Sequence, residues 1–167
     1  RTSMGIFVIG KTEEVERFIP TYDVFIAIGD NRRRKELYEE LEVLGANLPI
    51  LCHPTAVLGQ GVSAGAGTVI MPGSVVNPCT IIGNGCIINT SSTVDHDCVI
   101  GDFVHVSPGV RMAGSVRIGN HTWLGVGSVV SNNLYITSNC TIGAGAVVVR
   151  DIIESGTYVG VPATRLR

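Results

Sequence analysis

A chain of 167 residues with a formal net charge of −2 has no basic excess with which to hold nucleic acid by its phosphates. No apolar run is long enough to span a bilayer and no cleavable leader is legible, so membrane insertion is not expected. Hydrophobic residues make up 45% and aromatics 5%, leaving aliphatic and small side chains to fill a core, and five cysteines, an odd number, argue for free thiols in a reducing cytoplasm over a disulfide framework.

The chain opens Arg1-Thr2-Ser3 ahead of Met4, in the manner of a stump of a longer protein. Residues 1–52 read as a small α/β unit. The runs Phe7–Ile9, Val24–Ile28 and Pro49–Leu51 predict strands. Thr12-Glu13-Glu14 predicts a helix start with an N-cap and acids in its first turn. Asn31 is placed to cap a longer helix whose Leu37, Leu41 and Leu44 share one face and which Gly45 ends. Three parallel strands in about fifty residues make a sheet of marginal stability. An opening strand and a glycine-rich turn are expected to be missing from it, since Gly5 and Gly10 are unpatterned. Gly29, Asp30, Asn31 and Arg32 lie at a strand's carboxyl end and a helix start, where open α/β sheets bind ligands and helix termini favour phosphate. The Arg32–Lys35 run reads equally well as a solvated helix face.

From Leu58 to Val148 every sixth residue is apolar, sixteen hexads in one phase. Four positions after nearly every anchor stands a small or β-branched residue, among them Thr68, Ser74, Cys86, Cys98 and Cys140, with Leu134 and Ile152 as the larger exceptions, and glycine often follows the anchor, as corners of unusual φ/ψ require. Neither helix nor strand alternation makes this beat. It predicts a mainly β architecture over residues 53–167, a parallel β-helix of about five three-sided coils of 18 residues, left-handed by the resemblance given below. At about 4.8 Å per coil the prism is roughly 25 Å long. Its ends need covering, one by the α/β unit and the other by the tail 151–167. Prisms of this kind with a flat exposed side pack as homotrimers.

One element breaks the bland outer surface: Asp95-His96-Asp97, with His105 nine residues on. His96 is at the third position of its hexad, pointing outward, and flanking carboxylates raise an imidazole's basicity. A solvated histidine at a polar corner is the alternative. Nine residues is half a coil, so His96 and His105 fall on different sides of one prism and share a site only across subunits. His53 and His121 read as structural. A hexad prism with three histidines also builds the zinc site of γ-type carbonic anhydrases, but His96, His105 and His121 show no close pair at ligand spacing, and no metal is expected.

The stretch Ile88–Gly109, the Val24–Asn31 run with Arg34-Lys35, and Gly160-Val161-Pro162-Ala163 together resemble the left-handed β-helix sugar acetyltransferases. The likeness is to bacterial UDP-4-amino-sugar N-acetyltransferases and the related sialic acid O-acetyltransferases. It implies an acetyl-CoA-dependent N-acetyltransferase acting on a nucleotide-linked amino sugar by direct transfer. It implies His96 as general base and Asp97 as its acidic neighbour, with His105 touching acetyl-CoA near the thioester. It further implies the Gly114 N–H facing the acetyl oxygen, Val126 and Ala144 lining the pantetheine track, and Gly29–Arg32 holding the nucleotide sugar. Thr164 stands where the family's terminal motif carries lysine. Sialic acid O-acetylation and a non-catalytic scaffold are the alternative functions.

Overall fold

The computed structural model describes residues 2–166. It is a parallel β-helix of about six turns, slightly longer than the hexads alone predict. Its three faces are ladders of two-residue strands. The first face runs through Leu51–Cys52, Val69–Ile70, Ile87–Ile88, His105–Val106, Trp123–Leu124 and Cys140–Ile142. The second runs from Val57–Leu58 to Val147–Val148 and the third from Ser63–Ala64 to Tyr135–Ile136. Pairing is parallel with an 18-residue register, as in Leu51↔Val69 and Thr93↔Arg111.

The hexad anchors from Ile70 to Val148 are buried, and so are the small residues four positions on. Most hydroxyls in that second column are hydrogen-bonded, Ser128 Oγ being buried without a partner among the described residues. Thr68 Oγ1 donates to the Gly83 carbonyl (2.8 Å) and accepts from Cys86 N, and Thr80 and Thr122 repeat the pattern toward Asp95 O and Cys98 N and toward Thr137 O and Cys140 N. A small polar residue is tolerated inside because the coil above supplies its partner.

The glycines after the anchors have another cause than the one expected. Positive φ falls instead two positions later, at Gly61, Gly67, Gly85 and Gly127, and at non-glycines such as Ser91, Asp97 and His121. Gly83 and Gly101 are needed for space: a Cβ on Gly83 would lie 2.5 Å from Asp102 Oδ1, and one on Gly101 2.2 Å from Asn120 Oδ1. Each of those side chains reaches down to cap a backbone N–H of the coil below, Asn84 N by Asp102 and Asp102 N by Asn120.

The N-terminal unit differs from expectation in its sheet. Thr2–Ser3 and Ile6–Phe7 pair antiparallel, and Leu51–Cys52 joins the first face of the β-helix, not a separate sheet. Val24–Ile28 forms no strand; Val24 N bonds Asn47 O. One backbone bond to Asn47 is too little pairing to make the β-branched run a ladder. A cavity of about 630 Å³ lies among this segment, the 3₁₀ turn Thr12–Arg17 and the helix α1 (Asn31–Val43). The caps fall one residue earlier than expected, at Lys11 and Asp30, and Asp30 Oδ1 accepts from Arg33 N (2.8 Å). Leu37 and Leu41 are buried while Leu44 is exposed, and Gly45 ends the helix at φ +76°.

This unit does not cover the open end of the prism. It packs along the corner between the third and first faces, so Leu58 in the opening coil stays 45% exposed. The tether is Arg34, only 1% exposed. Its guanidinium donates to the carbonyls of Gly85 (2.6 Å), Ile28, Gly29 and Phe103 and to Asn31 Oδ1. Asn31 in turn donates to the carbonyls of His121 and Thr122. At the other end the tail behaves as expected: Gly156–Val159 extends the first face and Thr164–Arg165 folds back antiparallel to close the ladder.

Candidate active site

The strand Thr93–Val94 on the second face feeds a corner at residues 95–98. Asp95 is spent on building this corner: its Oδ1 accepts from Asn77 Nδ2 (2.7 Å) and His96 N (2.8 Å), which holds its carboxyl below the ordinary aspartate range. The neighbouring Asp97 has φ +56°, a left-handed conformation that aspartate adopts more readily than most residues. This backbone turn brings Asp97 Oδ2 to 2.7 Å from His96 Nδ1. The carboxylate accepts a hydrogen bond from Nδ1–H and leaves Nε2 as the acceptor. The Asp97 hydrogen bond first, and then the Asp95 charge, raise the imidazole pKa above its usual 6.5. Both side chains are open, at 56% and 59% exposure.

One coil further, Gly114 lies under the imidazole. A Cβ there would be 2.7 Å from both Cε1 and Nε2 of His96, so the ring rests where any other side chain would stand. The Gly114 N–H makes no hydrogen bond among the described residues, although its carbonyl accepts from Asn133 N (3.0 Å). Basic nitrogen and free amide donor therefore share one corner.

His105 lies elsewhere, on the first face, 8% exposed and stacked on Trp123 with ring centroids 5.5 Å apart at 5°. Asn89 Nδ2 donates to its Nε2 (3.1 Å), while Nδ1 is buried without a hydrogen-bond partner. Burial, with a smaller contribution from Arg34, pushes its pKa down to about 4, so it is neutral at physiological pH. Val126 and Ala144 are exposed and stacked at the corner between the first and second faces, where Gly145 N bonds Val126 O. Within one chain the structure thus unites His96, Asp97 and Gly114, and holds His105, Val126 and Ala144 apart from them.

A second concavity, of about 410 Å³, gathers Asp30, Asn31 and Arg32 with Lys35, His121 and Trp123; Gly29 adjoins it through the Arg34 clamp. Three of the four loop residues singled out in the sequence therefore line one hollow. Asn31 does so with its amide already committed to Arg34 and the β-helix. Lys35 belongs to the Arg32–Lys35 run weighed in the sequence, whereas His121 and Trp123 were not anticipated, although an 18-residue step joins His105 to Trp123 and Phe103 to His121, pairs that stack in the structure. The buried thiols take no part: burial raises Cys86 to about 12 and shifts Cys98 and Cys140 upward. Among the described residues no cluster of three metal-ligating side chains is formed, and no helix is long and apolar enough to cross a membrane.

A three-sided hexad solenoid with a histidine–carboxylate pair on an outer corner defines the chain as a hexapeptide-repeat transferase. A bacterial transferase hexapeptide model matches residues 115–150, and the model of the PglD N-terminal domain matches residues 1–41. The acetyltransferase domain of PglB from Neisseria gonorrhoeae FA1090, solved with acetyl coenzyme A, is 38% identical, covers 99% of this chain and 81% of its own, and superposes with a TM-score of 0.95. PerB of Caulobacter crescentus, solved with CoA and GDP-perosamine, is 37% identical over 98% of this chain and 80% of that one, also with a TM-score of 0.95. The UDP-N-acetylbacillosamine N-acetyltransferase of Bacillus subtilis (strain 168) is 40% identical over 58 residues, 35% of this chain and 27% of that protein. The chain belongs to the hexapeptide-repeat sugar acetyltransferase family. It spans between 27% and 39% of the lengths of its first three curated relatives.

Proposed function

We propose that this chain transfers the acetyl group of acetyl-CoA to the amine of a nucleotide-linked 4-amino sugar, of the UDP type, in bacterial glycan synthesis. The observation that carries the reading is the His96–Asp97 contact at 2.7 Å with Nε2 left open over Gly114. The amine attacks the thioester carbonyl while His96 Nε2 accepts its proton; Asp97 stabilises the imidazolium; the Gly114 N–H donates to the developing oxyanion. Collapse of the tetrahedral adduct breaks the C–S bond, and the proton held by His96 passes to the departing thiolate. No enzyme nucleophile is needed, in keeping with thiols shifted upward by burial. Val126 and Ala144 line the pantetheine arm and His105 meets the thioester end. These three come from a neighbouring protomer of a homotrimer, which is how residues on separate corners of one prism are brought to His96. The loop Gly29–Arg32 holds the nucleotide sugar. PglB and PerB, in complexes with acetyl coenzyme A and with CoA and GDP-perosamine, support this reading.

The test is release of free thiol from acetyl-CoA with UDP-4-amino sugars and sialic acids in parallel. Turnover with the amino sugar, reduced by a factor on the order of 10²–10⁴ in His96→Ala, is expected. Turnover with sialic acid alone makes the protein an O-acetyltransferase. Absence of thiol release with every acceptor, and of any thermal protection by acetyl-CoA, makes it a scaffold.

A further inference from the structure

The outward positions of the first face form a ladder in which each rung is 18 residues from the next: Ile87, His105, Trp123, Thr141. His105 covers one face of the Trp123 indole, and the indole N–H donates to Ser107 Oγ (2.7 Å), so the ring is fixed before any ligand arrives. The next rung is the small Thr141, too short to cover the other face, and Trp123 stays 42% exposed. That uncovered face borders the 410 Å³ cavity whose rim carries Arg32 and Lys35 at the start of α1. Lys35 Nζ is 3.5 Å from Glu39 and Arg32 Nε 3.3 Å from Glu36, both exposed pairs that an anion can compete for at small cost.

We propose that Trp123 is the stacking platform for the planar base of a nucleotide whose diphosphate is met by Lys35 and Arg32, and that this nucleotide is the one carrying the acceptor sugar. The inference rests on the reading of a nucleotide-sugar acceptor. Stacking of a base on a fixed aromatic ring is favourable whatever the base, and cations at the rim supply the phosphate attraction. The adenosine diphosphate end of coenzyme A has the same chemistry. The cavity shares its wall with the Asp30–Arg32 loop and not with the corner of Val126 and Ala144, which assigns it to the acceptor.

Trp123 is the single tryptophan of the chain, so its fluorescence reports on this surface directly. Titration of the unmodified protein with UDP, and with GDP in parallel, is expected to give saturable quenching, with no quenching by inorganic pyrophosphate. Calorimetry is expected to show UDP binding weakened about tenfold or more in Trp123→Leu, held within a few-fold in Trp123→Phe, and weakened several-fold in Lys35→Gln with a shallower dependence on salt. Quenching by coenzyme A or 3′,5′-ADP but by neither UDP nor GDP overturns the assignment, as does quenching by no nucleotide. The thiol-release assay separates the two readings. Acetyl transfer to a UDP-amino sugar without quenching by UDP removes the platform and leaves the activity. Quenching by UDP without acetyl transfer does the reverse.

Discussion

At the scale of single residues, the site depends on two departures from ordinary backbone behaviour. Asp97 accepts a left-handed φ that aims its carboxylate at His96, and Gly114 gives up a side chain so that the imidazole has somewhere to lie. In Gly114→Ala the new methyl would meet Nε2 and Cε1 at 2.7 Å. Because the obstacle is an exposed ring that is free to move, the thermal midpoint is expected to shift by no more than a few degrees. Displacing the base by about 1 Å is expected to lower kcat on the order of 10²-fold. A loss of stability that accounts for the loss of rate would contradict this. The pH profile tests the other departure. A general base works when neutral, and the raised His96 pKa keeps it protonated to higher pH than an ordinary imidazole, so kcat/KM is expected to rise through an acid limb centred above 6.5. Asp97→Asn removes the carboxylate that is the largest cause of the shift. Its limb is expected at lower pH, with a smaller plateau as the imidazolium loses its stabiliser. An unmoved limb would mean that some group other than His96 is being titrated.

At the scale of elements, α1 is joined to the β-helix by a buried guanidinium, and burial lowers Arg34 only to about 10, leaving it charged. Arg34→Met leaves the carbonyls of Gly85 and Phe103 without this donor. Loss of about 2–4 kcal/mol is expected for the docking of the unit, since each stranded polar group costs about 1–3 kcal/mol. Hydrogen exchange reads where that loss falls: the α1 amides should lose protection while those of the central coils keep theirs. Equal deprotection of both would show a single cooperative unit. This clamp was legible in principle, because Arg34, Leu37, Tyr38 and Leu41 fall at helical spacing on one buried face. It was obscured by three flanking cations. The hexads were plain because an 18-residue register repeats a local pattern many times over, so each coil confirms the next. The fate of Leu51–Cys52 and Val24–Ile28 was not legible, since a short β-branched run reads alike whichever sheet it joins or whether it finds one. His96 was visible as an outward polar break in an apolar beat. The stacking of His105 on Trp123 needed both the 18-residue step and the knowledge of which residues face outward together.

At the scale of the whole molecule, a rigid prism separates groups that the proposed chemistry needs together. His96 sits at the corner between the second and third faces, and Val126 and Ala144 at the corner between the first and second. A coil closed by its own ladders has no hinge with which to bring these corners together, so the proposed mechanism calls on a second protomer to complete the site. The outward faces are suited to it: Val57, Ile81, Val129 and Tyr135 are exposed apolar or aromatic residues on the second and third faces. Such an arrangement predicts complementation. His96→Ala and Val126→Asp are each expected to be inactive as pure proteins. When the two are co-expressed in equal amounts and assemble at random into cyclic trimers, each site draws its base from one chain and its cofactor track from the next. About a quarter of the sites then receive both intact halves. Thiol release by the mixed assembly is therefore expected at roughly a quarter of the unmodified rate, and at none after the two variants are purified separately and combined without exchange. A mixture that stays inactive even though sedimentation shows mixed trimers would place base and cofactor on the same chain, and the separation of corners would then have to be bridged by acetyl-CoA lying across the second face.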